Sequence, residues 1–164
     1  MAVARPRRKK KSPIYFYESH GKNEDFFYLT NFYTSWFTLG EKSWKTVEHY
    51  FQAMKFSDET YRERIRLAKT PARAKELGQT RDFSLRADWK SVKEDVMKRA
   101  LRAKFDQNKE LRRKLLETHP NELIEDAPND SYWGRGKHFH GENRLGTLLM
   151  ELRDFYRNMT GSEE

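Results

Sequence analysis

The chain has 164 residues and no cysteine, with 36% hydrophobic, 35% charged and 14% aromatic residues and a formal net charge of +8. That length is about one domain's worth of chain. The mean hydropathy of −1.07 alone would suit disorder, but disordered chains lack aromatics at this level. The missing thiols exclude disulfides, thiolate catalysis and zinc–thiolate sites. No apolar run approaches the ~18 residues of a membrane span, and nothing at the start reads as a signal peptide. A cytoplasmic or nuclear globular domain, with no membrane partner, is the expectation.

The net charge is concentrated at one end. Arg5, Arg7, Arg8, Lys9, Lys10 and Lys11 precede the first acid, Glu18, and without them 27 basic residues face 25 acidic ones. Residues 1–13 therefore read as a disordered basic tail, because like charges repel and nothing there can pack. Such an arm can act as a nuclear address, add non-specific phosphate affinity, or be no more than a solvated leader. Residues 14–160 read as one domain.

In chain order, Ile14 to Tyr17 is strand-like, and Trp36–Leu39 with Ser43–Lys45 form a hairpin through Gly40. Thr46 caps a helix running to about Phe56, with Val47, Phe51 and Met54 as its apolar stripe. Ser57 or Asp58 opens a second helix carrying Tyr61, Ile65 and Ala68. Thr70 and Pro71 start a third, which Gly78 ends as a C′ glycine. A long helix spans about Lys90 to Gln107 on Val92, Val96, Met97, Leu101 and Phe105. Asn108 caps another through Thr118, before Pro120. The last follows Asn143, with Leu145, Leu148, Leu152, Phe155 and Met159 on one face. The fold class is α+β, mainly α-helical, with a few short strands.

Two groups of polar residues stand out. Opposite the stripe of the Thr46–Phe56 helix, Glu48, Gln52 and Lys55 are spaced four and three apart and share a face. They fit a solvated face with an ion pair. They also fit an acid–base or Schiff-base pair, since Tyr50, Phe51 and Phe56 crowd this helix as they would a central one. The second group is the 17-residue stretch Asp130–Gly146, with four glycines leading into a helix N-terminus. It fits a long surface loop or a phosphate cradle. It has neither the lysine–serine/threonine ending of a P-loop nor the strand and turn of a dinucleotide fingerprint. Trp133 within it offers a plane on which a base or sugar packs. His138 and His140 have no metal-site pattern, and no metal is expected.

Several separated segments occur in a recognisable order. They are Tyr28-Leu29-Thr30-Asn31-Phe32-Tyr33, Thr46-Val47-Glu48-His49-Tyr50-Phe51-Gln52-Ala53-Met54-Lys55-Phe56, Asp88-Trp89, Asp130-x-Tyr132-Trp133-Gly134 and Asn143-Arg144-Leu145-Gly146. Over roughly residues 14–158 the chain resembles the YbiA-like, or NADAR, family, and the basic tail lies outside the resemblance. What the resemblance implies is hydrolysis of N-glycosidic bonds at ribose C1. Two substrate classes go with it: phosphoribosylamino-pyrimidine intermediates of riboflavin synthesis, and ADP-ribose carried on guanine in DNA or RNA. Both join ribose C1 to an aromatic amine nitrogen.

Such a hydrolysis needs no cofactor, and the carboxylate pair of glycosidases offers a template. On it, Glu48 protonates the leaving nitrogen or activates water, and Asp130 holds a ribose hydroxyl or stabilises charge at C1. Lys55 can attack an opened ribose to give a Schiff base, with Lys93 the next lysine to consider. Trp89 and Trp133 are stacking candidates, and Asn31, Gln52 and Asn143 are candidates for the ribose. Gly134, Gly146 and Arg144 are candidates for phosphate. The alternative is a non-catalytic ADP-ribose or nucleotide-binding module using the same loop, against which the pairing of Glu48 with Lys55 argues.

Overall fold

The computed structural model describes residues 11–18 and 23–161, so most of the basic tail, residues 1–10, lies outside the described residues. Its elements are β1 (Ile14–Phe16), a 3-10 helix (Glu24–Leu29), β2 (Phe37–Leu39), β3 (Lys42–Trp44), α1 (Val47–Ala53), α2 (Glu59–Arg66), α3 (Pro71–Gly78), α4 (Trp89–Gln107), α5 (Lys109–Glu117), β4 (Leu123–Glu125) and α6 (Arg144–Thr160). The fold is mainly helical α+β, as the periodicity predicts. The contacts group the chain into two compact units, one of Met1–Tyr15 with Glu117–Glu164 and one of Phe16–Leu116.

Within Phe16–Leu116, β2 and β3 form the expected antiparallel hairpin, with Phe37 facing Trp44 and Leu39 facing Lys42. Gly40 and Glu41 both take positive φ at its tip, the backbone that a tight hairpin turn requires. Three helices start as their caps dictate. The side chains of Thr46, Asp58 and Thr70 accept the amides of His49, Tyr61 and Arg73, satisfying donors that a helix start leaves open. Asn108 departs from this pattern: its side-chain amide donates to the carbonyls of Lys104 and Trp36.

The core of this unit is aromatic. Tyr50 of α1 meets Trp44 edge-on at 5.0 Å, and Tyr61 of α2 meets Phe56 the same way at 4.9 Å. Among the polar residues buried in this unit is a lysine. Lys104 of α4 is fully buried, donating to the carbonyl oxygens of Tyr28 at 2.6 Å and Thr30 at 3.0 Å. The rings of Phe105 and Tyr33 flank its Nζ at 5.2 and 5.6 Å. Two acceptors match the two N–H groups of a neutral amine, and burial pulls Lys104 down to about 7.

In the other unit, β1 pairs with β4, a strand the sequence pattern did not reveal. Ile14 donates its amide to Glu122 at 2.8 Å, and the Ser12 carbonyl accepts from the Asn121 side chain at 2.8 Å. The buried stripe of α6 differs from the expected one. It runs through Leu145, Gly146, Leu148, Leu149, Arg153 and Tyr156, while Phe155 and Met159 are 40% and 54% exposed. The stripe turns because Arg153 is drawn inward, where its guanidinium donates to the Thr118 hydroxyl and the Asn121 carbonyl.

Lys104 generates a pH prediction. Its folded value lies below the ordinary lysine value, so above about pH 7 the unfolded chain binds the extra proton. Stability should then rise with pH by up to ~1.4 kcal/mol per unit until the unfolded lysine also titrates. Denaturant unfolding at pH 6.5 and 9 should show the wild type gaining stability relative to Lys104→Met; equal changes in the two proteins would contradict the assignment.

Candidate active site

Helix α1 presents no solvated face: every residue from Val47 to Ala53 is buried. Of the two readings of Glu48 and Gln52, the solvated face is ruled out, because neighbouring elements cover that side as well. His49 shows how the helix is pinned. Its Nε2 faces the Ala68 carbonyl at 2.9 Å, and a carbonyl only accepts, so Nε2 carries the hydrogen. Nδ1 then accepts from the Thr46 hydroxyl at 2.7 Å. Burial lowers the pKa of His49 and keeps it neutral.

Glu48 is 7% exposed. Its amide donates to the Asn31 carbonyl at 3.1 Å, and its Oε1 accepts from Gln52 Nε2 at 2.7 Å. Burial raises its pKa, against the opposing Gln52 hydrogen bond and the positive fields of Lys75 and Lys55. Gln52 is held from its other side by α3. A Cβ on Gly78 would fall on the Gln52 side-chain amide, so only glycine admits it. Gly78 is the last residue of α3 rather than a residue beyond its end, and close approach, not a left-handed cap, is what it provides.

Lys55 follows α1, fixed by its carbonyl accepting the Arg86 amide at 2.8 Å. Its side chain is half-buried, with Nζ 5.6 Å above the Phe51 ring. Burial lowers its pKa, Glu48 raises it, and Lys75 lowers it further. Burial thus moves the carboxyl up and the amine down from their ordinary values, the directions that proton transfer and amine attack call for. Asn31 donates to the Met97 sulfur at 3.6 Å, while its Oδ1 is buried without a hydrogen-bond partner. Trp89 is 9% exposed and packs on Phe51 at 5.1 Å. It belongs to the wall behind Phe51, not to an open stacking surface. Lys93 lies half-buried on α4.

The unit thus brings Glu48, Gln52, Lys55 and Asn31 together and adds a pair that the sequence did not reveal. Lys75 of α3 bonds Glu18 at 2.9 Å, and its Nζ stands 5.6 Å over the Phe32 ring.

Asp130, Trp133, Gly134, Asn143, Arg144 and Gly146 belong to the other unit, where the loop is largely self-satisfied. Asp130 Oδ1 accepts the amides of Tyr132 and Trp133 at 3.0 and 2.8 Å, folding the chain back on itself as an aspartate turn. Asn143 spends its side chain on β4, donating to the Leu123 carbonyl and accepting the Glu125 amide, both at 2.9 Å. Arg135 pairs with Asp126, and its guanidinium covers the Phe139 ring at 4.0 Å.

These bonds bear directly on the phosphate cradle. The amides of Glu142, Asn143, Arg144 and Leu145 donate to the carbonyls of Ser131, Gly134, Tyr132 and Trp133. The start of α6 is therefore already capped by the loop, and the anion-binding expectation for it is withdrawn. Gly134 and Gly146 serve packing instead. A Cβ on Gly134 would strike Ala127, and one on Gly146 would strike the Leu123 carbonyl and the Asn143 side chain. Trp133 is half-buried, with Tyr132 edge-on at 4.8 Å. Among the described residues no group of three or more acidic or histidine side chains is placed to hold a metal ion, and no helix is long and apolar enough to cross a membrane.

A buried carboxyl beside a half-buried amine is an arrangement that acid–base chemistry can use. Residues 15–157 match the NADAR domain, and the chain belongs to that family. It is 51% identical over 141 residues to the N-glycosidase YbiA of Escherichia coli, covering 86% of each chain. It is 37% identical to an N-glycosidase of Nostoc punctiforme, covering 89% of this chain and 94% of that one. A riboflavin biosynthesis protein of Vibrio vulnificus is 39% identical over 142 residues, which are 38% of that longer protein. The NMR structure of E. coli YbiA superposes with a TM-score of 0.82 at 45% identity, over 93% of this chain and 89% of that one.

The Gly78–Gln52 contact yields a test. Gly78→Ala should displace the Gln52 amide and remove its hydrogen bond to the Glu48 carboxyl. Turnover should fall about tenfold, the cost of one positioning hydrogen bond of ~1.4 kcal/mol. Gly78→Ala combined with Gln52→Ala should restore the fit but not the rate. Wild-type turnover in Gly78→Ala would show that Gln52 does not position Glu48.

Proposed function

We propose that this chain is an N-glycosidase that hydrolyses the bond between ribose C1 and an aromatic amine nitrogen, with Glu48 as its acid–base group. The observation that carries the proposal is the Glu48 carboxyl, withdrawn from water on α1 with the Lys55 amine, just past the helix end, acting on its charge. Simple ligand binding gives no reason to bury a carboxyl whose pKa is raised. A protonated Glu48 delivers its proton to the leaving nitrogen, and water adds to C1 and returns a proton to the carboxylate. The products are the free ribose and the free amine. On an opened ribose, joined through C1 to the aromatic nitrogen as an imine, the Lys55 amine adds to C1 and the aromatic amine leaves with a proton from Glu48. Water then hydrolyses the lysine Schiff base to release the sugar and the free amine of Lys55.

For the substrate we put forward a phosphoribosylamino-pyrimidine, in keeping with the N-glycosidase and riboflavin names of the relatives. ADP-ribose on guanine is the second candidate, favoured by six positive charges in the first eleven residues, which raise encounter with DNA or RNA. Asn31 is proposed as a ribose contact through its unpartnered Oδ1.

Rates on a phosphoribosylamino-pyrimidine and on a guanine-ADP-ribosylated oligonucleotide, measured side by side, decide between the substrates; a salt- and tail-dependent preference for the oligonucleotide would put ADP-ribosylated guanine first. Glu48→Gln should lower turnover by ~10²–10⁴-fold, the usual share of a general acid–base group, with little change in thermal stability. Borohydride added during turnover should trap sugar on Lys55, and Lys55→Ala should abolish trapping. A Glu48 effect without trapping assigns the attack to water, and near-normal turnover in both variants would overturn the site.

A further inference from the structure

We propose that Lys75 and Glu18 are positioning residues for this reaction, an outer ion pair whose two opposite charges hold Glu48 and Lys55 in their working states. The inference rests on the acid–base role of Glu48. Its basis is where the pair sits. Lys75 lies one turn before Gly78, and residues three apart share a helix face. That face of α3 is the one pressed against the Gln52 amide, the hydrogen-bond partner of Glu48. From there the Lys75 ammonium reaches Glu18 at 2.9 Å and covers the ring of Phe32 at 5.6 Å. Phe32 adjoins Asn31, whose carbonyl holds the Glu48 amide at 3.1 Å. The pair therefore joins three segments that frame the buried carboxyl: the chain after β1, the turn at Asn31 and α3.

Stability gives no sufficient reason for it. The Lys75 and Glu18 side chains are 42% and 26% exposed, and solvent-screened pairs of this kind add little to folding. Their charges do reach the site. Glu48 is faced by Gln52, Lys75, Glu18 and Lys55, and Lys75 lowers its pKa while Glu18 raises it. Lys55 is faced by Glu48, which raises its pKa, and by Lys75, which lowers it. Lys75 itself is faced by Glu18, Glu48 and Tyr17. An isolated lysine at this position would strip the proton from Glu48, and an isolated glutamate would hold it too firmly. Together they bring opposing influences to one carboxyl.

Opposing influences give the pair a signature that a structural strap lacks. On a phosphoribosylamino-pyrimidine, the alkaline limb of the kcat/KM profile reports Glu48 in the free enzyme, because this acid works only while protonated. Lys75→Met should move that limb to higher pH and Glu18→Gln should move it to lower pH. Each shift should be a few tenths of a pH unit to about one, the reach of a single charge across a partly solvated gap. The double variant should return close to wild type, and Lys75→Arg, which keeps the charge, should leave the limb in place. Limbs that stay put while rates fall, or that move the same way in both single variants, would overturn the inference. If Glu48→Gln itself turns over normally, the acid–base reading of Glu48 fails instead.

Discussion

Burying a carboxyl on a helix with no solvated side is the constraint from which the packing around α1 follows. A carboxylate withdrawn from water is costly unless it keeps a proton or gains donors. Glu48 meets this demand in both ways: its pKa is raised by burial, and Gln52 supplies a hydrogen bond. Gln52 in turn holds that geometry only because Gly78 lets α3 close upon it. The Asn31 carbonyl fixes the start of the same helix turn through the Glu48 amide. One buried acid thus dictates an amide, a glycine and a backbone acceptor on three separate segments.

Lys104 extends that logic to the turn that carries Asn31. Its amine holds the carbonyls of Tyr28 and Thr30, on either side of Leu29 and directly before Asn31. A methionine there would fill the space but leave two buried acceptors unmet, each costing ~1–3 kcal/mol. The lysine is therefore explained by the backbone it satisfies, and its depressed pKa is a consequence of burial. It anchors the frame of the site from the α4 side.

The glycine-rich loop distributes its polar groups differently. Asp130 and Asn143, both attractive as substrate ligands, have side-chain oxygens committed to backbone amides of the loop and of β4. The first amides of α6 are likewise consumed by loop carbonyls. Within this loop Tyr132 packs edge-on against Trp133. Close packing, more than anion capture, is what Gly134 and Gly146 supply.

Much of the fold was legible because its signals are local. Thr46, Asp58 and Thr70 cap their helices, Gly40 turns the hairpin, and the periodic apolar residues mark α4 and α6. Glu48, Gln52 and Lys55 could be grouped from spacing alone, since three and four residues return a helix to the same face. Lys104 left a readable trace as well, a lysine centred in the apolar stripe of Met97, Ala100 and Leu101. Strand β4 could not be read, because three residues take strand geometry only when β1 lies beside them. Whether the face of Glu48 meets water or protein depends on α3, which no spacing within α1 encodes. The pairing of Lys75 with Glu18 spans 57 residues, and the sequence contains no register for it. Sequence by itself determined the helices, their caps and the residues that share a face, because those depend on neighbours three or four positions away. Tertiary structure alone decided which face lost its water, because desolvation is a property of everything packed around a residue.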